Sequence, residues 1–165
     1  MKRLISCIAL LLMVAGVSFA QMSVQKLTEE MGRSRLSFDM TVKEMNFSVL
    51  YQTKRFVLSA KDSDTKIICD SHNIYVVDYD AKEVSIESAA PVLTALNPGN
   101  IRKAVRTEKA GADFLEGVVT NPDDPEEEFS FSLKKIRISE ADKDSSPFTF
   151  SVKGLDKTWV VTDLR

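Results

Sequence analysis

From Arg35 onward, hydrophobic and polar residues alternate with a period of two, and that rhythm governs most of the chain. Leu36, Phe38, Met40 and Val42 alternate with Ser37, Asp39, Thr41 and Lys43, the signature of a strand with one face buried. Met45, Phe47, Val49 and Tyr51 repeat it against Asn46, Ser48, Leu50 and Gln52. Phe56 and Leu58 start a third strand, which Val57 makes less one-sided. Residues 65–70 and 73–79 are β-rich runs joined at Ser71-His72, a hairpin signal. A turn at 80–82 leads into a sixth strand, with Val84 and Ile86 facing one way and Glu83, Ser85 and Glu87 the other. Six strands with short links predict an antiparallel meander and not βαβ units.

Two stretches break the rhythm. Residues 23–32 open with a capping Ser23 and carry Val24, Leu27 and Met31 at helical spacing before Gly32, which predicts an amphipathic helix. Residues 91–96 and 100–105 read as short helical turns punctuated by Asn97-Pro98-Gly99. Strands are expected again over residues 114–120 and 129–138, and a last pair over 148–152 and 159–164. The acidic run at 121–128 holds five carboxylates but lacks the alternate acids and turn glycine of a calcium loop. A solvated, self-repelling loop is expected there.

The first twenty residues follow a different logic. Lys2 and Arg3 precede an almost unbroken apolar run from Leu4 to Val17, and Ser18-Phe19-Ala20 offers small residues for cleavage. That layout predicts a secretory signal peptide over residues 1–20, cleaved after Ala20, and hence a periplasmic protein. A membrane anchor would have to cross with residues 4–20, a length at the short edge for a ~30 Å core, and no basic stop-transfer cluster follows. Cys7 lies ahead of most of the apolar run, so it is not placed for lipidation.

Removing the first 20 of 165 residues leaves 145, a size suited to one domain. The leader takes two of the 22 basic residues, leaving 20 against 24 acids and a net charge of about −4. Such a balance argues against nucleic acid or an anionic membrane surface as partner, since both need dense basic patches. Cys69 is then the one cysteine, without a disulfide partner, and Ile67-Ile68-Cys69 reads as buried strand and not as a nucleophile. His72 is the one histidine, read as a solvated turn residue, which leaves no Ser-His-Asp triad and few zinc sites. No glycine-rich phosphate loop is present, and Asn46-Phe47-Ser48 carries little weight as a glycosylation acceptor, with Phe47 on the apolar side. The expectation is a non-enzyme with no metal and no cofactor.

Eight or nine antiparallel strands must close on themselves or curl around something. The expected inner face is large and adaptable: Phe38, Met40, Met45, Phe47, Tyr51, Phe56 and Leu58. Pattern alone does not separate an ordinary core from an apolar cavity under a helical lid.

Three segments carry a resemblance. Residues 73–86, Asn-Ile-Tyr-Val-Val-Asp-Tyr-Asp-Ala-Lys-Glu-Val-Ser-Ile, resemble a hairpin of the LolA-like periplasmic lipoprotein carriers, with its Tyr-Asp then Glu-Val order. Leu96-Asn-Pro-Gly-Asn-Ile101 is similar to the Asn-Pro segment that follows in their Bacteroidetes-type branch. The finish, Phe148-Thr-Phe150 and then Val160-Val-Thr-Asp-Leu-Arg165, resembles that branch's ending. The resemblance implies an α+β, mostly β fold: a curved antiparallel half-open β-barrel with short helices covering its concave face.

Its implied role is to hold acyl chains of lipoproteins, or another lipid, for transfer to the outer membrane. The seven inner-face residues with Leu93 and Leu96 would line the cavity, and Arg55, where the family has Arg-Pro, would close the lid. An inner-membrane release complex is the implied partner, and a monomer is expected. A different class remains open: an envelope structural or protein-interaction domain with a filled core. An enzyme is a distant third, since it would have to work from carboxylates alone.

Overall fold

The computed structural model describes residues 22–121 and 124–165. The expected leader and its cleavage site lie outside the described residues. The protein is mostly β: the described residues form one large sheet that does not close, and three α-helices.

Helix α1 (Val24–Met31) forms where expected: Ser23 Oγ accepts from the Lys26 N–H at 3.0 Å, and Val24, Leu27 and Met31 are buried. The meander follows as β1 (Ser34–Val42), β2 (Met45–Gln52), β3 (Arg55–Ala60), β4 (Thr65–Cys69), β5 (Asn73–Asp78) and β6 (Glu83–Ser88). Short helices α2 (Ala90–Ala95) and α3 (Pro98–Ala104) come next, then β7 (Val105–Ala110), β8 (Leu115–Asn121), β9 (Asp124–Glu140) and β10 (Val160–Asp163). The strand order is β10-β6-β5-β4-β3-β2-β1-β9-β8-β7.

Register follows the alternation. Leu36 lies opposite Tyr51, Phe38 opposite Val49 and Met40 opposite Phe47. Tyr51 and Val49 in turn face Phe56 and Leu58. Because side chains alternate between faces, all of these point the same way. With the buried residues of α1, α2 and α3 they form the main core, which Phe129, Phe131 and Leu133 of β9 extend. β4 and β5 are apolar on both sides, so Ile68, Val77 and Val84 build a second, smaller cluster on the opposite face.

Four expectations need correction. The sheet is not wholly antiparallel, because β10 pairs parallel with β6; alternation fixes a face and says nothing about direction. Residues 148–152 form no strand: short 3₁₀ turns at Ser146–Phe148 and Val152–Gly154 carry the chain across the outer face, with Pro147 inside the first. Residues 105–110, of which only Val105 belongs to an expected element, the end of a helical turn, form edge strand β7, where charged Arg106, Glu108 and Lys109 mask the period. From Asp124 the acidic run is the exposed start of β9, not a loop. Cations make that tolerable: Lys43 lies 3.7 Å from Glu127 and Arg106 lies 3.3 Å from Glu128. One glycine is demanded by close approach, since a Cβ on Gly117 would stand 2.2 Å from the Arg106 carbonyl oxygen of β7.

Candidate functional site

The nine residues expected to line a cavity do share one side of the sheet, but most are packed away. Phe38, Met40, Phe47, Phe56 and Leu58 are each 6% exposed or less, filling the core beneath the helices. Met45 is half-buried against the same core. Tyr51, Leu93 and Leu96 differ: they line a cleft of about 300 Å³ where α1, the β2–β3 turn and α2 meet. Thr28, Met31 and Gly32 of α1 form one wall, and Asn97 and Pro98 cap the α2 side. Thr53 and Lys54 close the third.

That third wall is a tight turn with φ of +46° at Thr53 and +63° at Lys54. Positive φ at both central residues matches the right-handed twist of a two-residue hairpin, but it is costly for a β-branched threonine. Two buried groups brace it. Tyr51 Oη accepts from the Lys54 N–H at 3.1 Å, and Cys69 Sγ donates to the Lys54 carbonyl at 3.7 Å. Burial pushes the Cys69 thiol up to about 11, and burial likewise raises the Tyr51 phenol. Both therefore stay protonated at neutral pH, and Cys69 is a poor nucleophile there.

Arg55 is not brought to the helices. It pairs with Gln52, which pairs with Arg35, so the three project from the face opposite Tyr51 and Phe56. There Arg55 and Arg35 lie over the ring of fully buried Phe148, at 5.7 Å and 5.8 Å from its centroid. The turn expected at Ser71-His72 is present: His72 is exposed, and its Nδ1 lies 3.2 Å from Ser71 Oγ.

Two other hollows are more open. One of about 430 Å³ lies between the β1–β2 turn and β9, with the Lys43 ammonium 3.5 Å above the Phe129 ring. One of about 190 Å³ lies on the opposite face around Asp39, Ser48 and Arg137. The cleft beside α1 is the more enclosed site, combining apolar walls with a few convergent polar groups. Among the described residues no group of three or more histidines, cysteines or carboxylates is placed to hold a metal, and no helix is long and apolar enough to cross a membrane.

Sequence reasoning missed Lys54, Thr53 and Met31. Met31 was legible as the last apolar position of the α1 stripe, but the turn residues became part of the cleft only through hairpin geometry. No family model matches the chain, and no curated protein matches it in sequence.

Proposed function

We propose that the chain is an exported carrier for acyl chains, of lipoproteins or of another lipid, working between membranes in the periplasm. In this reading the sheet is a half-open barrel and α1, α2 and α3 cover its concave face. The observation that carries it is the cleft walled by Met31, Tyr51, Leu93 and Leu96. The leader-like residues 1–20 and the three resembling segments support it from the sequence.

The energetics suit such a task. Each buried methylene contributes about 0.8 kcal/mol, so a chain of roughly sixteen carbons is held from water by on the order of 10 kcal/mol. A cleft of about 300 Å³ is at the small end of ligand sites, which run roughly 300–1,000 Å³. A full chain therefore requires the helices to move. Helices α2 and α3, of 6 and 7 residues, are too short to hold their form without packing. Apart from the local cap at Ser88, one side-chain hydrogen bond, from Arg102 to Thr28 at 3.3 Å, ties them to the rest of the described residues. Loading and release then follow the difference in ligand affinity between open and closed positions.

The deep burial of Phe38, Met40 and Phe56 favours a second reading, an envelope interaction domain with a filled core. A photo-crosslinker decides between them. Placed at Leu93 in cells, it is expected to capture acylated material, while the same group at exposed Val161 captures none. Absence of lipid or lipoprotein at Leu93 overturns the carrier.

A further inference from the structure

The cleft is chemically lopsided. Its floor is apolar, but its rim carries Lys54, which makes no ion pair among the described residues. Arg102 stands at the same border, held to Thr28 Oγ1 and likewise without a carboxylate. No acid lines the cleft, and the nearest ones on α1 are occupied: Glu30 binds Arg33 and Ser34, and Glu29 accepts from Gln25. In a chain with more acids than bases, this local excess of positive charge is a specific arrangement.

Tyr51 adds a second observation. The residue is 4% exposed, and its hydroxyl accepts from the Lys54 N–H while its own proton has no protein acceptor among the described residues. A buried hydroxyl proton without a partner is a donor awaiting an acceptor. The ammonium and the hydroxyl both belong to residues bordering the cleft at one braced turn, and a hydrogen bond from either of them to an anion is charge-assisted. Size narrows the ligand further. At about 30 Å³ per water-sized group, the cleft holds roughly ten such groups, a stretch of one chain and not several.

We propose that the cleft takes a single-chain amphiphile with an anionic head, carboxylate or phosphate, the head against Lys54 and Tyr51 and the chain between Met31, Leu93 and Leu96. The proposal rests on the carrier reading and specifies its ligand.

Three probes of equal chain length test it on the purified protein: dodecanoate, dodecyl phosphate and dodecan-1-ol, by displacement of a fluorescent fatty acid and by calorimetry. The anions are expected to bind at least about tenfold more tightly than the alcohol, the size of effect a hydrogen bond to a charged group gives. In Lys54→Ala that ratio falls toward one, Lys54→Arg keeps it, and Tyr51→Phe, which preserves the ring in the core, reduces it severalfold. Circular dichroism confirms folding of each variant. Preference for carboxylate over phosphate, or the reverse, identifies the source of the head and supports the proposal either way. Equal binding of anions and alcohol, unmoved by Lys54→Ala, overturns the head-group assignment and leaves the carrier standing. No binding by any of the three overturns both.

Discussion

On one side of the sheet, three short helices rest on large apolar side chains. On the other, the chain from Asp142 to Arg165 runs as a strap over Ile68, Val77 and Val84. The two covers are held by different forces. The strap is pinned by directed bonds: Arg35 reaches Gln52 at 2.9 Å, Asp142 at 3.2 Å and the Asp144 carbonyl at 3.1 Å, while Gln52 Nε2 donates to the Asp142 carbonyl at 2.7 Å. Phe150 lies against Tyr75 and Trp159 against Tyr79, and β10 zips onto β6. The helical cover relies on non-directional apolar contact through Val92, Leu96 and Ile101. Contact of that kind is replaceable by another apolar surface, such as an acyl chain. A strap of specific hydrogen bonds is not. The carrier reading therefore assigns opening to the helical side.

Substitutions sharpen this contrast, and the largest effect is expected where the helix-covered core is deepest. Phe56→Ala, at a residue 1% exposed, should cost about 3–5 kcal/mol in urea unfolding. A cost under 1 kcal/mol would mean that the face is not a packed core. Arg35→Ala strips the strap of its anchor and leaves Gln52 and Asp142 short of partners, an expected loss of about 1–3 kcal/mol. Hydrogen exchange should then quicken over residues 141–155 and stay unchanged over 90–104. Faster exchange in both regions would show that the two covers are coupled.

Leu93→Ala comes next, because that side chain is half-buried at the cleft and its loss should cost no more than about 1 kcal/mol of stability. The same change should weaken dodecanoate binding. A large stability loss with unchanged binding would mark Leu93 as core and not as ligand wall.

The smallest effects are electrostatic. On the strap side of the sheet, Lys61 at 2.8 Å and Lys135 at 3.0 Å hold the Asp39 carboxyl below the usual aspartate range. Its folded value is lower than its unfolded one, so its contribution is present above the ordinary aspartate range and fades as pH falls through the lowered value. Asp39→Asn should flatten the acid limb of the stability profile slightly. An unchanged acid limb would show that the lysines add nothing. Cys69 should resist alkylation near pH 8 until the protein is unfolded, since burial raises its thiol to about 11.

The contrast also explains what could be read from the chain. Leu36 to Val42 and Met45 to Tyr51 announced which side chains share the buried face, because a strand covered on one face leaves a period of two. The helix from Val24 to Met31 was equally plain. Strand β7 was not: Arg106, Glu108 and Lys109 protect a sheet edge, and edge protection erases the period. Within the strap, residues 148–152 were misread as a strand because two apolar residues, Phe148 and Phe150, alternate there. Phe148 is buried beneath the guanidiniums of Arg35 and Arg55, while Phe150 packs on Tyr75 in the second cluster. The candidate site was half legible. Alternation says which face a side chain takes, so Tyr51 was placed, but not how deeply neighbours cover it, so Phe38, Met40 and Phe56 were expected at a cavity and lie in a core. Arg55 was assigned by resemblance, and its position beside Phe56 sends it to the opposite face.

Native mass spectrometry of the protein isolated without detergent from cells that export it tests the carrier most directly. The account predicts a bound fraction heavier by the mass of one acyl-chain lipid, diminished by Leu93→Glu and preserved by Arg35→Ala. A single apo mass from cells, with no adduct before or after adding dodecanoate, would contradict it.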